Sequence, residues 1–368
     1  DMMNIVVPMA GRGSRFANAG FTDPKPLIRV GGKPMIQWVI ENVRPARPHR
    51  FTFIILREHL ETYPAVPATL RALCPDCRIV TVDAVTEGAA CTVLLAKAFI
   101  DNDEPLMIAN ADQVVDLAID DYLAEMEHRQ ADGLIMTFEA DHPKWSYCRL
   151  DPGLNVTEVV EKQVVSNEAT VGIYNFRRGR DFVRAAEQMI ARNLRSNGEF
   201  YVAPAYNLLI AEDRRIAVAR TGREYAGMYG LGVPEDLAFF QTTQVYERGR
   251  VDAAAPLSGE ALIAARTRQY IAFFHQRNLA GLRALLTDGF ALEDPTVGRL
   301  EGKEAVLRYI GEIFQAHPHL AFTARGIVAD ASRSVIEFDL QLGDQLVRGT
   351  DVIEWEGDRL KELRAYLR

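Results

Sequence analysis

Residues 6–27 read VVPMAGRGSRFANAGFTDPKPL, an apolar run followed by three glycines, two arginines and a Pro-Lys-Pro. Gly11 and Gly13 let the backbone approach a ligand closely, so that N–H groups can face phosphate oxygens. Arg12 and Arg15 add positive charge beside them, and a guanidinium can grip phosphate through two parallel hydrogen bonds. Lys25, held in an extended Pro24-Lys25-Pro26, puts an ammonium on a stiffened backbone. The combination suits a polyphosphate. It is neither a Walker A loop, which would end in Gly-Lys-Ser/Thr, nor the Gly-x-Gly-x-x-Gly of dinucleotide binders.

Such a loop needs a sheet behind it. Asn4–Val7, Phe51–Leu56, Arg78–Val82 and Leu106–Ala109 read as buried strands, with helices expected at Pro34–Val43 and Ala89–Ile100. Alternating strands and helices predict a parallel-dominated α/β sheet covered on both faces. Leu134–Phe138, Val156–Val160 and Val171–Phe176 are expected as strands added over the sheet's carboxyl edge, and Asp181–Arg192 and Pro234–Arg248 as helices. Residues 249–260, GRVDAAAPLSGE, read as a linker between a first domain, 1–248, and a second, 261–368. In the second, helices over Glu260–Gln276, Leu279–Leu286 and Lys303–Gln315 precede strands at Ala321–Ala329, Ser334–Leu342, Leu346–Trp355 and Leu360–Tyr366. Helices first and an antiparallel meander afterwards is an α+β pattern.

Gly-x-Gly-Ser-Arg-Phe, then Pro-Lys-Pro-Leu and a later Asn110-Ala111-Asp112-Gln113, resembles the sugar-1-phosphate nucleotidyltransferases, the pyrophosphorylases of nucleoside-diphosphate sugars and their cytidylyltransferase relatives. The likeness runs over about residues 3–245. It implies a Rossmann-like mixed sheet and a nucleotide site made by Ala10, Gly11, Arg12, Gly13 and Ser14 together with Thr86, Glu87, Gly88, Ala89 and Asn110. Glu161-Lys162, Gly172 and Asn207 would form the acceptor side, and Arg15, Lys25 and Asp112 would carry the chemistry, with Asp112 holding Mg²⁺. A phosphate monoester is already largely ionised at neutral pH, so cations and in-line positioning, rather than a general base, are what transfer requires. Many relatives carry a second metal carboxylate just before the closing Gly-x-x-x-x-Leu turn, where this chain has Gly230. The branch of the likeness favours a pyrimidine triphosphate, CTP or UTP, and an acceptor that is a sugar phosphate or another small phosphate or phosphonate.

Residues 261–368 resemble the SnoaL-like, ketosteroid-isomerase-like cone, a curved antiparallel sheet with helices. Tyr270, Asp294 in Leu-Glu-Asp-Pro and Asp351 in Gly-Thr-Asp-Val-Ile match that family's pocket positions, and dimerisation or ligand binding is the expected role.

A net charge of −8 argues against general attraction to nucleic acid or membranes. No apolar stretch is long enough to span a bilayer and no segment reads as a signal peptide, so a cytoplasmic protein is expected; a homodimer is expected from the cone domain. Cys74 and Cys77 form a Cys-Pro-Asp-Cys without a second such pair, which points to ordinary reduced thiols. Two alternatives remain open: a nucleotide-sugar glycosyltransferase, which predicts an Asp-x-Asp near the sheet, and a non-catalytic nucleotide-sugar sensor dimerised by the cone.

Overall fold

The first strand, Met3–Met9, is apolar on both faces and almost wholly buried. Ile5, Val7 and Met9 enter one core, and Val6 enters the other on the opposite face. Burial on both faces is the mark of a strand inside a covered parallel sheet, and Met3–Met9 pairs in parallel with both His49–Leu56 and Leu106–Ala109. The computed structural model describes residues 1–11 and 13–368. Arg12 lies outside the described residues.

The main sheet runs in the order Arg78–Val82, His49–Leu56, Met3–Met9, Leu106–Ala109, Glu168–Phe176, Gly133–Glu139, Ile216–Glu224, Gly227–Gly230, Gln113–Val115. This corrects one expectation. Glu168–Phe176 and Gly133–Glu139 are not laid over the carboxyl edge but are central strands, the first inserted antiparallel beside Leu106–Ala109. Among the described residues only the hairpin Ser146–Leu150 and Val156–Glu161 is off the main path. Glu168–Phe176 is buried at every position, as a strand flanked on both sides and covered on both faces must be. Among the helices, Met35–Val43 and Ile119–His128 supply the first core, and Gly179–Ala191 and Tyr206–Ile210 the second. Each fully buried large side chain, such as Phe53 or Phe182, contributes about 2–3 kcal/mol by leaving water.

Two expected helices are broken. Ala89–Ile100 is two short helices, Ala89–Leu94 and Lys97–Ile100. Pro234–Arg248 is likewise Pro234–Phe240 and Gln244–Gly249, with the hydroxyls of Thr242 and Thr243 donating to the carbonyls of Phe239 and Phe240 at the break. Short side chains of this kind compete with the helix ladder by bonding local backbone.

Contacts divide the chain into one unit of residues 1–234 with 249–251 and another of 235–248 with 252–368. Residues 235–248, placed with the first domain from sequence, thus pack with the second: Phe239 lies 5.8 Å from the Phe273 ring and under the Arg266 guanidinium. The second unit holds a six-stranded sheet ordered Gly298–Glu301, Leu286–Asp294, Arg359–Leu367, Gln345–Glu356, Arg333–Leu342, Ala321–Ala329. The last four strands are the expected meander. Leu286–Asp294, which runs parallel to Arg359–Leu367, and its partner Gly298–Glu301 were not legible, because neither alternates cleanly.

Candidate active site

In the first unit the glycine loop leaves the carboxyl end of Met3–Met9 and enters a one-turn helix, Ser14–Asn18. Gly13 takes the left-handed conformation at φ 65°, the turn that lets the chain reverse there. Phe16 is buried and packs edge-on against Phe21 at 5.2 Å, which anchors the helix while Ser14 and Arg15 stay exposed. Pro24, extended at ψ 147°, then delivers Lys25 into a 3-10 turn.

Lys25 Nζ lies 2.7 Å from Asp112 Oδ2, joining two motifs 87 residues apart. A cleft of about 610 Å³ is lined here by Gly11, Gly13, Lys25, Asn110, Ala111 and Asp112, and extends past Asp23 to Glu58, His59 and Tyr63. Asn110 is seated by its N–H donating to Gly172 O at 3.0 Å. Gly172 has φ 108°, and a Cβ there would collide with Asn110 Nδ2 and stand 2.8 Å from its Cγ. Gly230, where the resemblance led one to expect a second carboxylate, pairs with Gln113 in the sheet, and the next N–H, Leu231, donates to Asp112 O at 2.7 Å. Among the described residues no group of three or more His, Cys, Asp or Glu is placed to hold a metal. Mg²⁺ that brings phosphate oxygens of its own needs only one or two carboxylates, and the half-exposed Asp112 fits that form.

Thr86–Ala89 does not line this cleft, and neither does the Glu161-Lys162 pair. Thr86 Oγ1 bonds Thr92 Oγ1 at 2.6 Å and Gly88 O at 2.8 Å, which closes the loop on the start of Ala89–Leu94. Glu161 ends the strand Val156–Glu161, and burial pushes its carboxyl up to about 7, with Glu199 adding to the rise and Lys162 opposing it. Lys162 follows with left-handed φ 57°. Asn207, expected at the acceptor, has both ends of its amide bonded to the backbone of Val159, at 2.8 Å each. Its visible task is to hold the strand that carries Glu161. The sequence reading missed Arg195, Glu199, Phe200 and Tyr201, which lie between the two halves. No motif marks them, although the aromatic pair inside Gly-Glu-Phe-Tyr was a usable signal.

In the cone, Asp351 is 4% exposed and Tyr270 6%. Burial, aided by Asp294, pushes the Asp351 carboxyl up to about 8, and burial raises the Tyr270 phenol well above its ordinary value. Asp294 differs: Oδ1 accepts from the N–H groups of Thr296 and Val297, and Oδ2 from Tyr309 Oη at 3.1 Å. It closes a turn. Phe274, Phe314, Phe322 and Phe338 fill the space beside Tyr270 with rings about 5 Å apart. All four cysteines are free, and burial raises the thiols of Cys74 and Cys148, which leaves them unreactive.

A mixed sheet with a glycine turn, a lysine and a strand-end aspartate gathered at one cleft is an α/β arrangement of the kind that suits a phosphate-bearing ligand. The comparisons carry this further. The chain belongs to the nucleotidyl transferase family, whose profile matches residues 5–199, and a SnoaL-like domain matches residues 267–363. The bifunctional protein GlmU of Burkholderia lata is 26% identical over 301 residues, 80% of this chain and 56% of that protein. The chain thus spans about half the length of these curated relatives. The 2-aminoethylphosphonate cytidylyltransferase of Lancefieldella rimae is 41% identical over 72 residues, 18% of this chain and 29% of that protein. The nucleoside-diphosphate-sugar pyrophosphorylase of Vibrio cholerae superposes with a TM-score of 0.54 at 25% identity, covering 64% of this chain and 98% of that one. Among the described residues no helix is long and apolar enough to cross a membrane.

Proposed function

We propose that the protein transfers a nucleoside monophosphate from CTP or UTP, with Mg²⁺, to a small phosphorylated or phosphonate acceptor and releases pyrophosphate. The observation that carries this reading is the 2.7 Å pair of Lys25 and Asp112 beside the glycine loop. In the proposed reaction the N–H groups near Gly11 and Gly13, with Arg15, bind the β- and γ-phosphates, and Lys25 leaves Asp112 to meet charge growing at the α-phosphate. Asp112 would hold the ion, which when bound neutralises phosphate charge and orients the α-phosphate for in-line attack. Lys162 would hold the acceptor's anionic group, while Glu161 faces the rest of it. The acceptor oxygen attacks the α-phosphorus, the bond to the bridging oxygen breaks, and pyrophosphate leaves. A pyrimidine base and either acceptor class agree with the relatives named above.

Purified protein incubated with each NTP, Mg²⁺ and a panel of hexose 1-phosphates, aminoalkylphosphonates and phosphorylated amino alcohols is expected to release pyrophosphate only when an acceptor is present. The release should vanish in Asp112→Asn. No release with any combination would refute the reading. The glycosyltransferase alternative fits less well: the only Asp-x-Asp, Asp101–Asp103, precedes the strand Leu106–Ala109 and so lies at the edge away from the cleft. The proposal includes a homodimer formed through the second unit, where Val328 and Tyr366, 72% and 55% exposed, leave apolar surface on the sheet. Light scattering that returns a monomer would refute that part.

A further inference from the structure

Two parts of the proposed site, the Thr86–Ala90 loop and Lys162, rest on one segment, Arg195–Tyr201. The Arg195 guanidinium donates to Glu87 Oε1 and to Gly198 O, each at 3.0 Å, and lies over the Phe200 ring at 4.3 Å. The Phe200 peptide then closes two backbone bonds with the nucleotide loop: its N–H donates to Glu87 O at 2.9 Å, and its carbonyl accepts from Ala90 N at 3.0 Å. The next residue serves the acceptor side. Lys162 Nζ stands 5.6 Å from the Tyr201 ring centroid, and Tyr201 Oη donates to Glu199 Oε2 at 2.8 Å. The Lys162 N–H is held by Trp145 O at 3.0 Å, which aims its side chain from a left-handed backbone. Among the described residues no carboxylate lies within ion-pair distance of the Lys162 ammonium. An aromatic face can seat an ammonium without an ion pair, so this lysine is not committed to a carboxylate and can meet an incoming anion, whereas Lys25 is already paired with Asp112.

We propose that Tyr201 is a positioning residue that presents Lys162 to the acceptor's phosphate or phosphonate, and that the segment Arg195–Tyr201 couples nucleotide binding to acceptor binding. This rests on the transfer reading above. A ligand that orders Thr86–Ala90 orders Phe200, and through it the ring beneath Lys162. Linkage requires the coupling to be reciprocal.

The test uses the full chain with an NTP and acceptor that support pyrophosphate release, together with calorimetric titration of the NTP. Tyr201→Leu should raise the acceptor KM roughly three- to tenfold, with nucleotide affinity and kcat within about twofold of the parent. Tyr201→Phe, which keeps the ring, should bring the acceptor KM back. Arg195→Gln cuts the tie to Glu87 and should weaken both ligands, and the acceptor's effect on nucleotide affinity should shrink as well. An unchanged acceptor KM in Tyr201→Leu overturns the proposal, and so does a Tyr201→Phe as impaired as Tyr201→Leu. If the parent releases no pyrophosphate with any acceptor, it is the transfer reading that fails.

Discussion

Asp351→Asn should make the second unit's stability far less dependent on pH. The Asp351 carboxyl, 4% exposed on the strand Gln345–Glu356, is pushed from its ordinary 3.8 to about 8 by burial, with Asp294 adding to the rise. The folded state therefore binds a proton that the unfolded chain has released at any pH between those values. Stability from this group is fully present below 3.8, falls as pH rises, and is lost above about 8. At about 1.4 kcal/mol per pH unit the whole interval amounts to at most about 6 kcal/mol; relaxation and entry of water around the ion reduce this to a few kcal/mol. Asparagine keeps the shape and cannot ionise, so the variant should gain on the parent as pH rises from 5 to 9. Hydrogen exchange followed by mass spectrometry on peptides from 345–367 reports this unit, and comparing the two proteins at each pH cancels the intrinsic exchange chemistry. Parallel profiles from pH 5 to 9 would refute the reasoning, since they would mean that Asp351 is already ionised when folded.

Lys25→Met should separate stability from turnover. Its pair with Asp112 is partly exposed, at 24% and 37%, so melting should change by no more than about 1 kcal/mol, while pyrophosphate release should fall roughly 10²- to 10³-fold. A variant that keeps the parent's rate removes Lys25 from the chemistry. Gly172→Ala forces a β-carbon onto Asn110 at φ 108°, and should cost about 1–3 kcal/mol of stability in urea unfolding together with most of the activity. An alanine variant with the parent's melting and rate would show that Asn110 can move without consequence.

Much of this molecule is legible in its amino-acid sequence. The strands around the glycine loop are short apolar runs bounded by turn residues, and Met3–Met9, Leu106–Ala109 and Arg78–Val82 lie where that pattern puts them. The glycine loop, Pro24-Lys25-Pro26 and the strand-end Asp112 are local signals, because turn chemistry and charge are written in adjacent residues. The breaks at 95–96 and 241–243 were less legible, since an apolar stretch reads as one helix whether or not it is interrupted. Asn207 shows what a motif leaves out: both ends of its amide are engaged by Val159, a contact that no local pattern announces.

By itself the sequence determined most of the strands around the glycine loop, the turn chemistry and positive charge of residues 11–25, and the change from α/β to α+β order after residue 260. These depend on periodicity and turn geometry over a few residues. Only the tertiary structure decided that Glu168–Phe176 runs antiparallel beside Leu106–Ala109, that Lys25 meets Asp112 across 87 residues, and that Arg195–Tyr201 joins the Thr86–Ala90 loop to Lys162. Alternation along a strand says which faces are buried but not which strand lies alongside. That choice is made by packing the whole sheet at once, and the cleft belongs to the packing.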